Sequence, residues 1–241
     1  MTESITTCCS TKASVRQKYD AIARDQLDSG YCMVDYKPQQ GYHAQADLGL
    51  GCGTPVDHAD LTSGEIVLDL GSGAGLDAMI ASPLVGEKGM VYGLDIAQSM
   101  VDRAKSNALE VGVNNVFFQE GDIEQLPFED SSIDVVISNC TLNLVPDKLA
   151  AYSEIRRVLR LGGRFIISDV VIEGDPDPTL LREAEEIAGC VAGASRKNAY
   201  LQLISSVGFT DIEIVRSHRL KVINDHDGLE SLTIRAYRRL S

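Results

Sequence analysis

The chain has 241 residues, 44% of them hydrophobic and 24% charged, and a formal net charge of −13. That length suits one domain, or one domain with an appendage, and the composition suits a chain that buries a sizeable core. The negative balance disfavours nucleic acid and anionic membrane as partners, and no run approaches the ~18 apolar residues a membrane span needs.

The opening "MTESITTCCSTK" lacks the basic-then-apolar build of a secretory leader, so a cytoplasmic, reducing location is expected. In that setting the six cysteines read as thiols rather than as a disulfide framework. Cys8, Cys9, Cys32, Cys52, Cys140 and Cys190 contain no C-x-x-C, which argues against a preassembled zinc site. Residues 1–62 form a polar, glycine-containing segment with one helical stretch, "ASVRQKYDAIARD", where Val15, Tyr19, Ile22 and Ala23 share a face. Near its end "LGLGCGTP" sets Cys52 between two glycines, small neighbours expected to leave its sulfur accessible.

Residues 63–170 alternate strand and helix. "EIVLDL" is a short apolar strand, "GLDAMIASPLV" a helix, "GMVYGLD" a strand and "AQSMVDRAKSNALEVG" a helix ending at a glycine. "NVFFQEGD" and "IDVVISN" are strands, "DKLAAYSEIRRVL" is a helix stopped by "RLGG", and "RFIISDV" is a strand again. Short apolar strands separated by helices predict a mostly parallel sheet covered on both faces. Residues 171–241 predict two helices, then "TDIEIVRSH" and "SLTIRAYR" as an antiparallel pair. No internal repeat or low-complexity tract interrupts this plan.

The string "VLDLGSGAG" places Asp69 at a strand end, followed by Gly71, Gly73 and Gly75. Glycines there let the backbone turn sharply and approach a ligand. The third glycine comes one residue too early for a dinucleotide fingerprint, and the absence of Lys-Ser/Thr excludes a P-loop. The next strand ends in "YGLDIA", where Asp95 can accept both hydroxyls of a ribose. The third ends in "EGDIEQLPF", where Asp122 and Ile123 can meet the amino edge and face of an adenine. Helix capping would explain one such acid. Three in order, at the carboxyl ends of parallel strands, point to a nucleoside ligand.

Together "LDLGSGAG", "GLDIAQSM", "EGDIEQLPF", "DVVISN" and "VLRLGGRFIISD" resemble the class I S-adenosylmethionine-dependent methyltransferases over about residues 64–170. The resemblance implies a Rossmann-like α/β sheet, mostly parallel with a C-terminal antiparallel strand, between an N-terminal segment and a C-terminal appendage. It implies Asp69, Gly71, Gly73 and Gly75 around the methionine moiety of S-adenosylmethionine, Asp95 on the ribose, and Asp122 with Ile123 at the adenine. Ile96, Met100, Gly121 and Asn139 fall in the same implied site.

The acceptor has to come from other residues, since the superfamily does not name it. His43, His58, His218 and His226 stand in no local catalytic string and read as surface residues. Cys140, in "SNCTLNL" after the fourth strand, reads as a small buried hydrophobe. Cys190, in "IAGCVAGA", has small neighbours and reads as accessible, like Cys52.

Around this core, "LGLGCGTP", "SNCTLNL" and "AGCVAGA" resemble the arsenite methyltransferase family, over about residues 48–210. The resemblance implies that Cys52 and Cys190 bind trivalent arsenic, with one or two further cysteines. Trivalent arsenic is soft, and thiolates are the soft ligands proteins offer. It keeps a lone pair and carries no proton, so its methylation needs alignment rather than a general base. Cys32 is expected to add a third sulfur, because it lies nearer the cofactor segment than Cys8 and Cys9. Without a third sulfur, methylarsenite would be a better substrate than arsenite. The implied partners are a small trivalent arsenic species and a reduced thiol as reductant, in arsenic detoxification. Two other readings stay open: a methyltransferase for an organic acceptor such as a quinone or lipid precursor, and a non-enzymatic arsenic-binding protein. The sequence sets no oligomeric state.

Overall fold

The computed structural model describes residues 12–25, 36, 39–175, 178–179, 189–191, 193–220 and 228–239. One mixed sheet organises them. Its strands are β1 (Ile66–Leu70), β2 (Met90–Asp95), β3 (Val116–Glu120), β4 (Ile133–Asn139), β5 (Leu159–Ile172), β6 (Ser195–Arg196), β7 (Thr210–Arg219) and β8 (Leu229–Tyr237). They run in the order β3-β2-β1-β4-β5-β8-β7, with β6 against β5. β1 to β5 pair in parallel, while β8 lies antiparallel to both β5 and β7. The sheet therefore carries strands from both sides of residue 170, and the expected C-terminal antiparallel pair is present.

The central strands are apolar on both faces because both faces are covered. Leu68, Leu70, Val136, Phe165 and Ile167 join one hydrophobic cluster, while Val67, Val135, Ile137 and Ile166 join the other. This is the two-residue alternation of a buried strand. The helices α1 (Lys12–Ala23), α2 (Leu76–Val85), α3 (Gln98–Val111) and α4 (Lys148–Val158) follow the expected order. Gly112 ends α3 in the left-handed conformation, and Asp147 caps α4 by accepting from the Ala150 amide at 2.9 Å.

Two expectations change in detail. The "RLGG" string does not separate helix from strand: α4 ends at Val158 and β5 begins at once. Ile133 pairs with Leu159, and after a register shift Val135 pairs with Arg164. Of the helices expected after residue 171, Lys197–Ser206 is seen, while 180–188 lie outside the described residues. Among the described residues no helix is long and apolar enough to cross a membrane.

Strand order reverses between β1 and β4, which opens a crevice at their carboxyl ends. Helix α1 lies across the β2–β3 side of that crevice. Its Asp20 accepts from the Ser99 amide at 3.0 Å, satisfying a first-turn donor of α3. Arg16 donates to the Ile96 carbonyl at 3.0 Å, and Arg103 of α3 donates to the Ala23 carbonyl at 3.0 Å.

Candidate active site

The crevice is a cleft with an empty volume of about 1040 Å³, its mouth included. Acids stand along it in the order of the strands that carry them. Asp122, after β3, is held by Lys12 of α1 at 2.6 Å and accepts from the Glu124 amide at 2.9 Å. Asp95, at the end of β2, accepts from the Ala97 and Gly73 amides, both at 2.9 Å. Burial pushes its carboxyl up to about 6, against the pull of those amides. Asp69, at the end of β1, is 2% exposed, and its Oδ2 has no hydrogen-bond partner among the described residues. Burial raises it well above the usual carboxylate range, and the charges of Asp77 and Asp95 add to that.

Of the residues expected at the cofactor, Asp69, Gly71, Gly73, Asp95, Ile96, Asp122, Ile123 and Asn139 line this one cleft. Three do not. Gly75 caps α2. Gly121 faces the other side of α1, where a Cβ would meet the Leu94 side chain at 2.4 Å. Met100 is wholly buried with Ile22 and Ala97 beneath α1. The donor set suits S-adenosylmethionine. An unpartnered buried carboxylate oxygen on Asp69 fits an ammonium, and a second acid one strand over fits a diol.

Asn139, at the tip of β4, joins this cleft to the thiols. Its Oδ1 accepts from the Cys52 and Gly53 amides at 3.0 and 3.2 Å, and its Nδ2 donates to the Gly53 carbonyl at 2.8 Å. Ser231 of β8 donates to the Cys52 carbonyl at 2.6 Å. The glycines flanking Cys52 have a different purpose from the one expected. A Cβ on Gly53 would lie 2.4 Å from the Ser168 hydroxyl, so glycine lets the loop sink into the end of the sheet. Cys52 is consequently 0% exposed rather than accessible.

Cys190 is also buried, at 5% exposure. Its small neighbours permit close packing: a Cβ on Gly193 would lie 1.7 Å from the Asn143 carbonyl oxygen. Burial pushes the Cys190 thiol up to about 12, and the nearby charge of Asp169 adds to that.

Cys140 is the residue that sequence reasoning misplaced. It is buried, as a small hydrophobe would be, but it is bonded to Cys52 in a disulfide with Cα atoms 5.8 Å apart. Its Sγ lies 3.6 Å from that of Cys190, and it lines the same cleft as the acids. The expectation of thiols alone is corrected here: Asn139 fixes the Cys52 loop against β4, and that proximity permits the bond. Cys140 also adopts φ 57°, an uncommon conformation for a residue with a side chain. Its amide donates to the Ser168 carbonyl at 2.7 Å, which holds that conformation. Cys8, Cys9 and Cys32, the third-sulfur candidates, lie outside the described residues. Other missed residues are Tyr36 and Asp77. Tyr36 donates to both Asp77 oxygens at 2.9 Å, and Asn139 Nδ2 donates to Tyr36 at 2.6 Å and to Asp77 at 3.2 Å. An acid in the first turn of α2 reads as ordinary helix chemistry, which hid Asp77. Of the histidines, His43, His58 and His218 do not line the cleft, and His226 lies outside the described residues.

Residues 61–208 match the family model described as "Methyltransferase domain". The arsenite methyltransferase of Halobacterium salinarum is 37% identical, over 90% of this chain and 62% of its own length. That of Mus musculus is 34% identical, over 82% of this chain and 57% of its own. This chain thus spans about three fifths of the length of these curated relatives. The crystal structure of an arsenic(III) S-adenosylmethionine methyltransferase from Chlamydomonas reinhardtii superimposes with a TM-score of 0.72 at 35% identity. That match covers 85% of this chain and 75% of the other. The chain belongs to the methyltransferase-domain family, with arsenite methyltransferases among its relatives.

Proposed function

We propose that this chain is an S-adenosylmethionine-dependent methyltransferase whose acceptor is trivalent arsenic held by Cys52, Cys140 and Cys190. One observation carries the reading. Three sulfurs from three distant stretches converge beside a cleft lined with acids at successive strand tips. An organic acceptor would leave that convergence without a purpose, and a sequestering protein would not need the acids.

Bound S-adenosylmethionine supplies an electrophilic methyl group on a sulfonium. Asp95 holds the ribose hydroxyls, Asp69 the ammonium, and Asp122 with Ile123 the adenine. At the other end, the buried sulfurs exchange their protons for bonds to arsenic. A neutral arsenic–sulfur bond suits an apolar site better than a thiolate does. The surroundings are apolar: Val170, Val191, Leu220 and Leu229 pack around the three cysteines. Arsenic bound there presents a lone pair and no proton, so a cleft without a described histidine is adequate.

The disulfide balances the electrons. Accepting a methyl cation raises arsenic formally from +3 to +5. Closure of Cys52 and Cys140 into a disulfide returns two electrons and releases two sulfur ligands; an external thiol gives up its proton and takes the vacated third position, leaving neutral trivalent arsenic bonded to the new methyl, to Cys190 and to that thiolate. An external reduced thiol then reopens the disulfide. In this reading Cys140 fills the place expected of Cys32, and arsenic detoxification is the role served.

The test is mass spectrometry of arsenic species after incubating the chain with arsenite or methylarsenite, S-adenosylmethionine and a reduced thiol. Methylated products that require all three additions are expected. A cofactor-binding protein that leaves both arsenic species unmethylated would overturn the proposal.

A further inference from the structure

The cleft gathers three buried carboxyl groups with no basic side chain paired to them among the described residues. Asp69, Asp77 and Asp95 all line it and are 2%, 8% and 8% exposed. Among the described residues none of the three forms an ion pair with a lysine or arginine. Buried carboxylates without a cation are costly, and a cationic ligand beside them lowers that cost. The unpartnered Oδ2 of Asp69 points the same way.

Asp95 serves the ribose and Asp69 the ammonium, which leaves Asp77 without a task. Its position supplies one. Asp77 is bonded to Asn139, and Asn139 is bonded to the backbone of Cys52. Of the three acids, Asp77 is the one tied to the thiol loop, where the reacting sulfur of the cofactor must come. We infer that Asp77 distinguishes the positively charged sulfonium of S-adenosylmethionine from the neutral thioether of its product, S-adenosylhomocysteine. This rests on the reading that the cleft holds S-adenosylmethionine.

The surroundings of Asp77 suit the task. Burial raises its carboxyl to about 6, while the Tyr36 hydroxyl and Asn139 amide donate to it and favour the charged form. The Tyr36 hydroxyl and the Asn139 amide hold the carboxylate form in place through three hydrogen bonds. An anion in a partly desolvated site attracts a nearby cation far more strongly than it would in water. Losing the positive charge on methyl transfer removes that attraction, so the same contact that favours the substrate form favours release of the product.

The test compares dissociation constants by calorimetry on the full reduced chain. The ligands are S-adenosylmethionine, S-adenosylhomocysteine and sinefungin, which carries a cationic amine in place of the methylsulfonium. For Asp77→Asn the affinities for S-adenosylmethionine and sinefungin should fall about tenfold or more, with that for S-adenosylhomocysteine within about twofold of wild type. Equal weakening of all three, or no change in any, would overturn the inference. Should Asp77→Asn fail to fold, Asp77→Glu decides: a retained preference for the two cations supports the inference and a lost preference overturns it. Wild-type protein that binds none of the three would instead overturn the cofactor reading, and this inference with it.

Discussion

The two ends of the cleft are built on opposite principles. The end at the tips of β1 to β3 is polar: acids at three successive strand tips offer hydrogen bonds, and α1 covers them with ion pairs such as Lys12 with Asp122. The thiol end is apolar, with Cys52, Cys140 and Cys190 packed among Val170, Val191, Leu220 and Leu229. Hydrogen bonding suits a ligand that must come and go each turnover. Soft coordination inside an apolar shell suits one that must be held while it reacts. Asn139 belongs to both ends, lining the cleft and clamping the Cys52 loop.

The sharpest way to separate the ends is to change one sulfur. Cys52→Ser, Cys140→Ser and Cys190→Ser should each lower arsenic methylation by about two orders of magnitude or more, because a hydroxyl is a hard, poor ligand for trivalent arsenic. Calorimetry should show S-adenosylmethionine affinity nearly intact in all three. A serine variant at Cys140 with full activity would return it to the role of packing residue.

Asp95→Ala tests the polar end. On the proposed reading it removes two charge-assisted hydrogen bonds to the ribose, each worth roughly 1.5–3 kcal/mol. S-adenosylmethionine should bind at least about tenfold more weakly, while arsenite binding to the reduced protein is retained. Unchanged cofactor affinity in a folded variant would remove Asp95 from the site.

Asn139→Ala blurs the boundary. Its amide makes three contacts with the Cys52 loop, so arsenite affinity should fall by about tenfold, with a smaller loss for the cofactor. Competition titration with a chromogenic arsenical would report the first and calorimetry the second. A larger loss at the cofactor would assign Asn139 to the polar end alone.

The smallest effect on turnover is expected from Asp169→Asn, which tests stability behind the thiol end. Tyr200 donates to Asp169 at 2.6 Å, and burial pushes its carboxyl up to about 7. A group whose folded pKa is raised contributes stability below its unfolded pKa and loses it as pH rises through the folded value. The wild type should therefore lose stability between about pH 4 and pH 7 relative to Asp169→Asn. Denaturant melts should show the variant more stable at pH 8 by on the order of 1–2 kcal/mol, and no advantage near pH 4. Parallel pH profiles would contradict the assignment.

The polar end was legible in the sequence because it is local. Each strand–loop junction announces itself within a few residues, so Asp69, Asp95 and Asp122 could be placed on strand tips from "LDLGSGAG", "GLDIA" and "EGDIE". The thiol end is assembled by long-range folding. Cys52 and Cys140 are 88 residues apart, and Cys140 and Cys190 are 50 apart. No local pattern shows that Asn139 draws the Cys52 loop onto β4, or that Cys140 takes a positive φ. Small flanking residues were therefore read as exposing Cys52 and Cys190, when they permit burial. Met100 shows the same limit in reverse. The resemblance carried by "GLDIAQSM" implied the cofactor site, but packing against Ile22 of α1 turns Met100 into the core.

The most direct test of the account is the number of sulfur atoms around bound arsenic. Arsenic K-edge X-ray absorption on the reduced full chain with one equivalent of arsenite should show three arsenic–sulfur bonds, falling to two in Cys140→Ser. Coordination by oxygen alone, or three sulfurs undiminished in Cys140→Ser, would contradict the assignment of Cys52, Cys140 and Cys190 as the arsenic site.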